Sequence, residues 1–154
     1  RAVGPSLVLI LLPRPLASPP STRSYLLDAV ILPDVLQDVP AAVSYVRTHG
    51  DEVVVSAASR ASVLSGLDAS TDHERARALF NAIPCLPITQ AVADRAADLR
   101  RQYGFSLPAA LEAAVALENS LTLVTRNTDD FDPNEHSFLT VPYPTPARRR
   151  ERRS

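Results

Sequence analysis

Short apolar runs alternate with helical patterns along this chain, and that alternation is what most limits its fold. Tyr25-Leu26-Leu27 is a brief apolar strand ending on Asp28, and Val53-Val54-Val55 is a β-branched run suited to a strand buried on both faces. Leu86-Pro87-Ile88, Leu121-Thr122-Leu123-Val124 and Leu139-Thr140-Val141 complete the strand candidates. Between them the apolar spacing is helical. It runs through Val35, Leu36, Val39, Ala42, Val43 and Val46, with Pro33 and Pro40 at helix starts or breaks. It returns in residues 56–67, where Ser59 is a candidate N-cap and Gly66 lies near the end. Further helices are expected over 71–83, over 91–103 with Thr89 as cap and Gly104 as stop, and over 108–119. Strands separated by helices imply an α/β fold of three layers, a mostly parallel sheet of four to five strands with helices on both faces. Sheets of this kind place ligand sites beyond the carboxyl ends of their strands.

That rule selects two places. Asp28 stands at the carboxyl end of the first strand, and Thr125-Arg126-Asn127-Thr128-Asp129-Asp130 follows the carboxyl end of another. If the two strands are neighbours, the carboxylates converge, and a divalent cation is the usual reason to tolerate such repulsion. Taken singly, Asp28 is equally a helix cap, and the Asn127–Asp130 stretch equally a turn and helix start.

Charge and composition narrow the partners. The net charge of −1 conceals an asymmetry: residues 148–153 carry +4 and Arg1, Arg14 and Arg23 carry +3, which leaves −8 on residues 24–145. An acidic body suits carboxylates gathered around metal, or a basic partner, better than it suits the tracking of phosphates. Every basic residue is arginine. The tail arginines could hold nucleic acid without specificity, although a free charged tail is more often only solubilising. The longest apolar run, Leu7–Leu12, falls far short of the roughly 20 residues that cross a bilayer. Cys85 is the single cysteine, so no internal disulfide forms; its default reading is a small buried hydrophobe rather than a catalytic thiol. His49, His73 and His136 lack ligand spacing for zinc, and the four glycines form no phosphate loop. Residues 1–23, rich in proline, read as an extension that is disordered or not native. Their leading Arg, apolar stretch and Ala17-Ser18 faintly suggest a secretory signal, which Arg14 and the prolines interrupt. Residues 24–145 form one domain, and residues 146–154 a basic tail.

The stretch from Leu107-Pro108-Ala109 through Leu121-Thr122-Leu123-Val124-Thr125-Arg126-Asn127-Thr128-Asp129-Asp130-Phe131 closely resembles the carboxyl half of VapC-type toxins, which are PIN-domain ribonucleases. Val92–Arg100 is similar to the helix before that stretch, Tyr25–Asp28 to the opening strand, and Ser56–Gly66 to the second-helix motif in register. The likeness covers about residues 24–143.

The resemblance implies a PIN-like fold and hydrolysis of RNA phosphodiesters assisted by Mg²⁺ or Mn²⁺ held on three or four acids. It also implies a cytoplasmic homodimer that binds a small VapB-type antitoxin. Matched residue by residue, the first acid is Asp28 and the last is Asp130, while Thr125 and Asn127 match the polar residues that orient the site. The second-helix glutamate is replaced by Ser62, and the aspartate after the Leu-Pro pair by Ala109. The residue two beyond the first aspartate, commonly Asn or Ser, is Val30. Asp28 and Asp130 are thus the expected metal ligands and, with Thr125 and Asn127, the expected catalytic set. Metal affinity and activity are expected to be reduced, by at least the roughly 10–100-fold that follows loss of supporting ligands. The competing expectation is a catalytically inactive PIN module, natural, relic or substituted, that binds an antitoxin or RNA without cleaving. Glu112, three residues after Ala109 on about the same helix face, reads by default as a solvated helix residue and otherwise as a compensating acid.

Overall fold

The computed structural model describes residues 23–68 and 70–144, so the extension (Arg23 apart) and the basic tail lie outside the described residues. Five strands, β1 (Tyr25–Leu27), β2 (Val53–Ser56), β3 (Cys85–Leu86), β4 (Thr122–Val124) and β5 (Leu139–Thr140), form one sheet in the order β3-β2-β1-β4-β5. Every pairing is parallel. Six helices accompany them: α1 (Leu32–Leu36), α2 (Pro40–His49), α3 (Ala57–Ser65), α4 (Ser70–Ala82), α5 (Gln90–Tyr103) and α6 (Leu107–Glu118).

Strand alternation divides the core in two. Leu27, Val53, Val55 and Val124 face one way and pack with α1, α2, α3 and α4 through Leu32, Val35, Val46, Val63, Leu79 and Phe80. Leu26, Val54 and Leu123 face the other way, onto α5 and the alanine-rich α6. A parallel strand covered on both sides needs apolar residues at every position, which is why the valine run carries no polar alternation. The small side chains of α6 let it lie close to both the sheet and α5.

Several expected boundaries move. The helical pattern after Asp28 resolves into α1 and α2, each with a proline at its start, where no amide hydrogen is required. Asp38 turns the chain between them in the left-handed region, φ 55°. The cap of α3 is Ser56, whose Oγ accepts from the Ser59 amide at 2.9 Å; Ser59 itself lies inside the helix. Thr89 caps α5 as expected, and Gly104 ends it at φ 72°, donating its amide to Arg100. Cys85 is exposed rather than buried, because β3 is a two-residue edge strand paired only with β2. Among the described residues no helix is long and apolar enough to cross a membrane.

Candidate active site

From β1 the chain steps outward to β2 and β3, then returns across β1 to place β4 on its far side. The carboxyl ends of β1 and β4 therefore flank the point where the strand order reverses, the position at which open α/β sheets form ligand crevices. Asp28 and Thr125 are the first residues beyond those two ends. The Asp28 amide donates to the Val124 carbonyl at 3.0 Å, and the Thr125 hydroxyl donates to Asp28 Oδ2 at 2.6 Å. The neighbouring strands thus bring residues 97 positions apart into direct contact.

Asp28 is 6 % exposed. Its Oδ1 accepts from the Ala29 amide at 2.7 Å, and it does not cap α1, whose N-cap is Ile31. Burial pushes the Asp28 carboxyl above its ordinary range; the hydrogen bonds from Thr125 and Ala29 oppose that rise, and the charge of Asp130 adds to it. Asn127 and Asp130 form a reciprocal turn. The Asn127 side-chain amide donates to Asp130 Oδ2 at 2.9 Å, and Asn127 Oδ1 accepts from the Asp130 amide at 3.3 Å. The Asn127 amide in turn donates to Thr125 Oγ1 at 3.0 Å. Asp130 also accepts from the Ser106 amide at 3.0 Å and from the Ser106 hydroxyl at 3.1 Å, so both its oxygens are engaged at the start of α6. These bonds, the Ser106 amide foremost, hold its carboxyl below the usual range.

Glu112 is not a solvated helix residue. It is 2 % exposed, because α6 is buried on almost every side. Its Oε1 accepts from the hydroxyls of Ser56, at the carboxyl end of β2, and Ser59, the latter at 2.8 Å. Its Oε2 is buried and has no hydrogen-bond partner among the described residues. Burial, with a smaller contribution from the charge of Asp28, pushes its carboxyl up to about 7. By contrast, the two positions expected to have lost acids bring no carboxylate to this place. Ser62 is exposed, Ala109 is buried among the alanines facing α5, and Val30 packs against the core.

Sequence reading also missed Asp34. It is 7 % exposed and accepts from Arg126 Nε at 2.7 Å, Arg126 Nη2 at 3.1 Å and the Tyr143 hydroxyl at 2.9 Å. Thr125 and Arg126 thus serve different acids. The Thr-Arg-Asn run contained the signal, since an arginine leaving a buried strand end needs a partner.

Residues 25–134 match the family model for the PIN domain. The chain belongs to the PIN-domain family. Among solved structures, this PIN domain is similar to a chain of a toxin–antitoxin complex from Klebsiella pneumoniae, at 27 % identity and a TM-score of 0.72, covering 79 % of this chain and 99 % of that one. It also superposes on a chain of FitAcB from Neisseria gonorrhoeae (23 % identity, TM-score 0.63, covering 77 % and 97 %) and on one of VapBC2 from Rickettsia felis bound to a promoter DNA fragment (15 %, 0.64, covering 75 % and 94 %). The last two show the shared fold. No curated protein matches this PIN domain in sequence.

Among the described residues, no three His, Cys, Asp or Glu side chains form one metal-holding group. The charge of Asp130 acts on Asp28, and the charge of Asp28 acts on Glu112. The donor set therefore fits an ion of the Mg²⁺ type, which needs only one or two protein carboxylates when phosphate oxygens and waters complete its shell. The orphaned Glu112 Oε2 is the observation that supports such a fit.

Proposed function

We propose that this PIN domain is a VapC-like toxin, a metal-dependent endoribonuclease acting in the cytoplasm, with activity lowered by the missing acids at Ser62 and Ala109. One observation carries the reading: Asp28 is buried at the switch point of the sheet with hydrogen bonds but, among the described residues, no ion pair. Asp28 is the primary ligand for Mg²⁺ or Mn²⁺. When bound, the ion would activate water and offset the charge that develops on the phosphodiester.

The chain's own residues do the rest. Thr125 holds one Asp28 oxygen and leaves the second to the Ala29 amide, which fixes the plane of the carboxylate. Asn127 and Asp130 brace the loop beside it, and the Asp130 charge lies within reach of Asp28, so an incoming cation is attracted from that side. Asp130 remains the other acid expected to approach the ion or its waters.

Kinship with chains from toxin–antitoxin complexes supports a small antitoxin as partner, and the body charge of −8 suits a basic segment of it. RNA is the substrate, and the working form is a homodimer. The absence of any acid at Ser62 or Ala109 favours a second reading, an inactive PIN module that retains antitoxin binding. RNA incubated with purified protein and Mn²⁺ separates the two: the nuclease reading expects slow cleavage abolished by Asp28→Asn. Cleavage that survives this substitution, or no cleavage at any metal concentration, removes the nuclease reading.

A further inference from the structure

We propose that Glu112 is the second metal-binding carboxylate of this chain, a relocated acid in place of those absent at Ser62 and Ala109. The inference rests on the metal-dependent reading above and names a residue that reading does not require.

Three observations carry it. First, Glu112 Oε2 is buried without a partner, while Oε1 takes both serine hydroxyls. Neither protonation state removes the deficit. An ionised Glu112 leaves an unmet acceptor at Oε2, and a proton placed there would become an unmet donor. Buried polar atoms are nearly always satisfied, so an orphan of this kind marks a missing partner. A cation meets the need of an ionised oxygen.

Second, the Glu112 carboxylate stands at the strand ends. Ser56 closes β2, the neighbour of β1, and holds Glu112 where it feels the charge of Asp28. The positive group that also reaches Asp28, Arg126, has its guanidinium bonded to Asp34. Among the described residues the buried acids Asp28 and Glu112 therefore have no ion pair, whereas both oxygens of Asp130 already accept hydrogen bonds.

Third, the side chains that do meet, Ser59 on α3 and Glu112 on α6, each stand one turn from an empty position. On α6 the acid stands three residues beyond Ala109; on α3 the polar contact, Ser59, stands three residues before Ser62. Three residues are about one helical turn on the same face. Ser56 and Ser59 are positioning residues, and Glu112 is the ligand.

Calorimetric titration of metal-free protein with Mn²⁺ tests this in four chains: unsubstituted, Asp28→Asn, Glu112→Gln and Asp130→Asn. The expected result is binding by the unsubstituted chain, weakened about tenfold or more by each of Asp28→Asn and Glu112→Gln. Asp130→Asn should weaken it less than Glu112→Gln does. Unchanged affinity in a folded Glu112→Gln, alongside a loss in Asp28→Asn, overturns the Glu112 assignment and leaves the nuclease reading standing. Absence of Mn²⁺ binding in the unsubstituted chain overturns both. A measurement that needs no substitution guards against a variant that does not fold. With ¹³C at the glutamate carboxyls, electron–nuclear double resonance of bound Mn²⁺ should show a directly coupled carboxyl carbon. Its absence refutes Glu112 as a ligand.

Discussion

Asp28 and Asp34 lie six residues apart and are almost equally buried, at 6 % and 7 % exposed, yet their surroundings differ. Asp34 receives two bonds from the Arg126 guanidinium and one from Tyr143, so its charge is matched within the chain. Asp28 receives a hydroxyl and an amide, and its like-charged neighbours are Glu112 and Asp130. Both acids are buried, but among the described residues only Asp34 is ion-paired. Asp34 therefore works as structure, tying the loop after β4 to α1, whereas Asp28 is the acid we propose as a metal ligand.

The sharpest way to break this contrast is to remove each acid in turn. Asp34→Ala strands the Arg126 guanidinium and should lower stability by about 3 kcal/mol, the low end for breaking a buried pair because Arg126 is partly exposed. Urea denaturation measures this, and a loss below 1 kcal/mol would mean the pair is merely incidental. Asp28→Asn should do the reverse. It relieves repulsion, so the urea midpoint should hold or rise, while Mn²⁺-dependent RNA cleavage falls by about 100-fold or more. A chain destabilised to the same degree by both changes would erase the distinction.

A third test uses pH. Glu112 has a folded-state value of about 7 against an ordinary 4.5, so the folded chain holds this proton more tightly than the unfolded chain does. Its contribution is complete below about 4.5 and is lost as pH rises towards 7, and the raised Asp28 acts in the same direction. Metal-free protein should therefore lose on the order of 2 kcal/mol across that window beyond the trend in Glu112→Gln. Saturating Mn²⁺ should oppose the loss. Identical pH profiles for the two chains would show that Glu112 is not coupled to folding. Asp130 has the opposite sign, since its lowered value adds stability that disappears as pH falls through it.

The smallest effect is expected at Ser106, which caps α6 and ties Asp130 to it. Ser106→Ala should cost about 1 kcal/mol in thermal stability and weaken cleavage modestly by loosening the Asp130 loop.

Much of this was legible from residue order. The valine run of β2, the αL stop at Gly104, the Thr89 cap and the Thr-Arg-Asn loop after β4 each express a local rule, and local rules survive folding. Asp28 and Thr125 were legible as candidates because strand ends in parallel sheets are where sites form. Glu112 was misread because a charged side chain on a helix is exposed unless something covers that face. The signal against exposure was the alanine content of α6, with Ala109, Ala110, Ala113, Ala114 and Ala116 small enough to let neighbouring elements close in. Cys85 was misread for the opposite reason: nothing local says that a strand lies at the edge of its sheet.

The sequence by itself determined the alternation of strands and helices, the PIN-type carboxyl half, and a serine and an alanine at the two positions where the resemblance expects acids. Only the tertiary structure decided which carboxylates meet. The strand order β3-β2-β1-β4-β5 sets Thr125 against Asp28 and Ser56 against Glu112, contacts that span 97 and 56 residues of chain. Charge and burial act through space, so whether an acid has found its counter-charge is decided by neighbours that residue order does not place beside it.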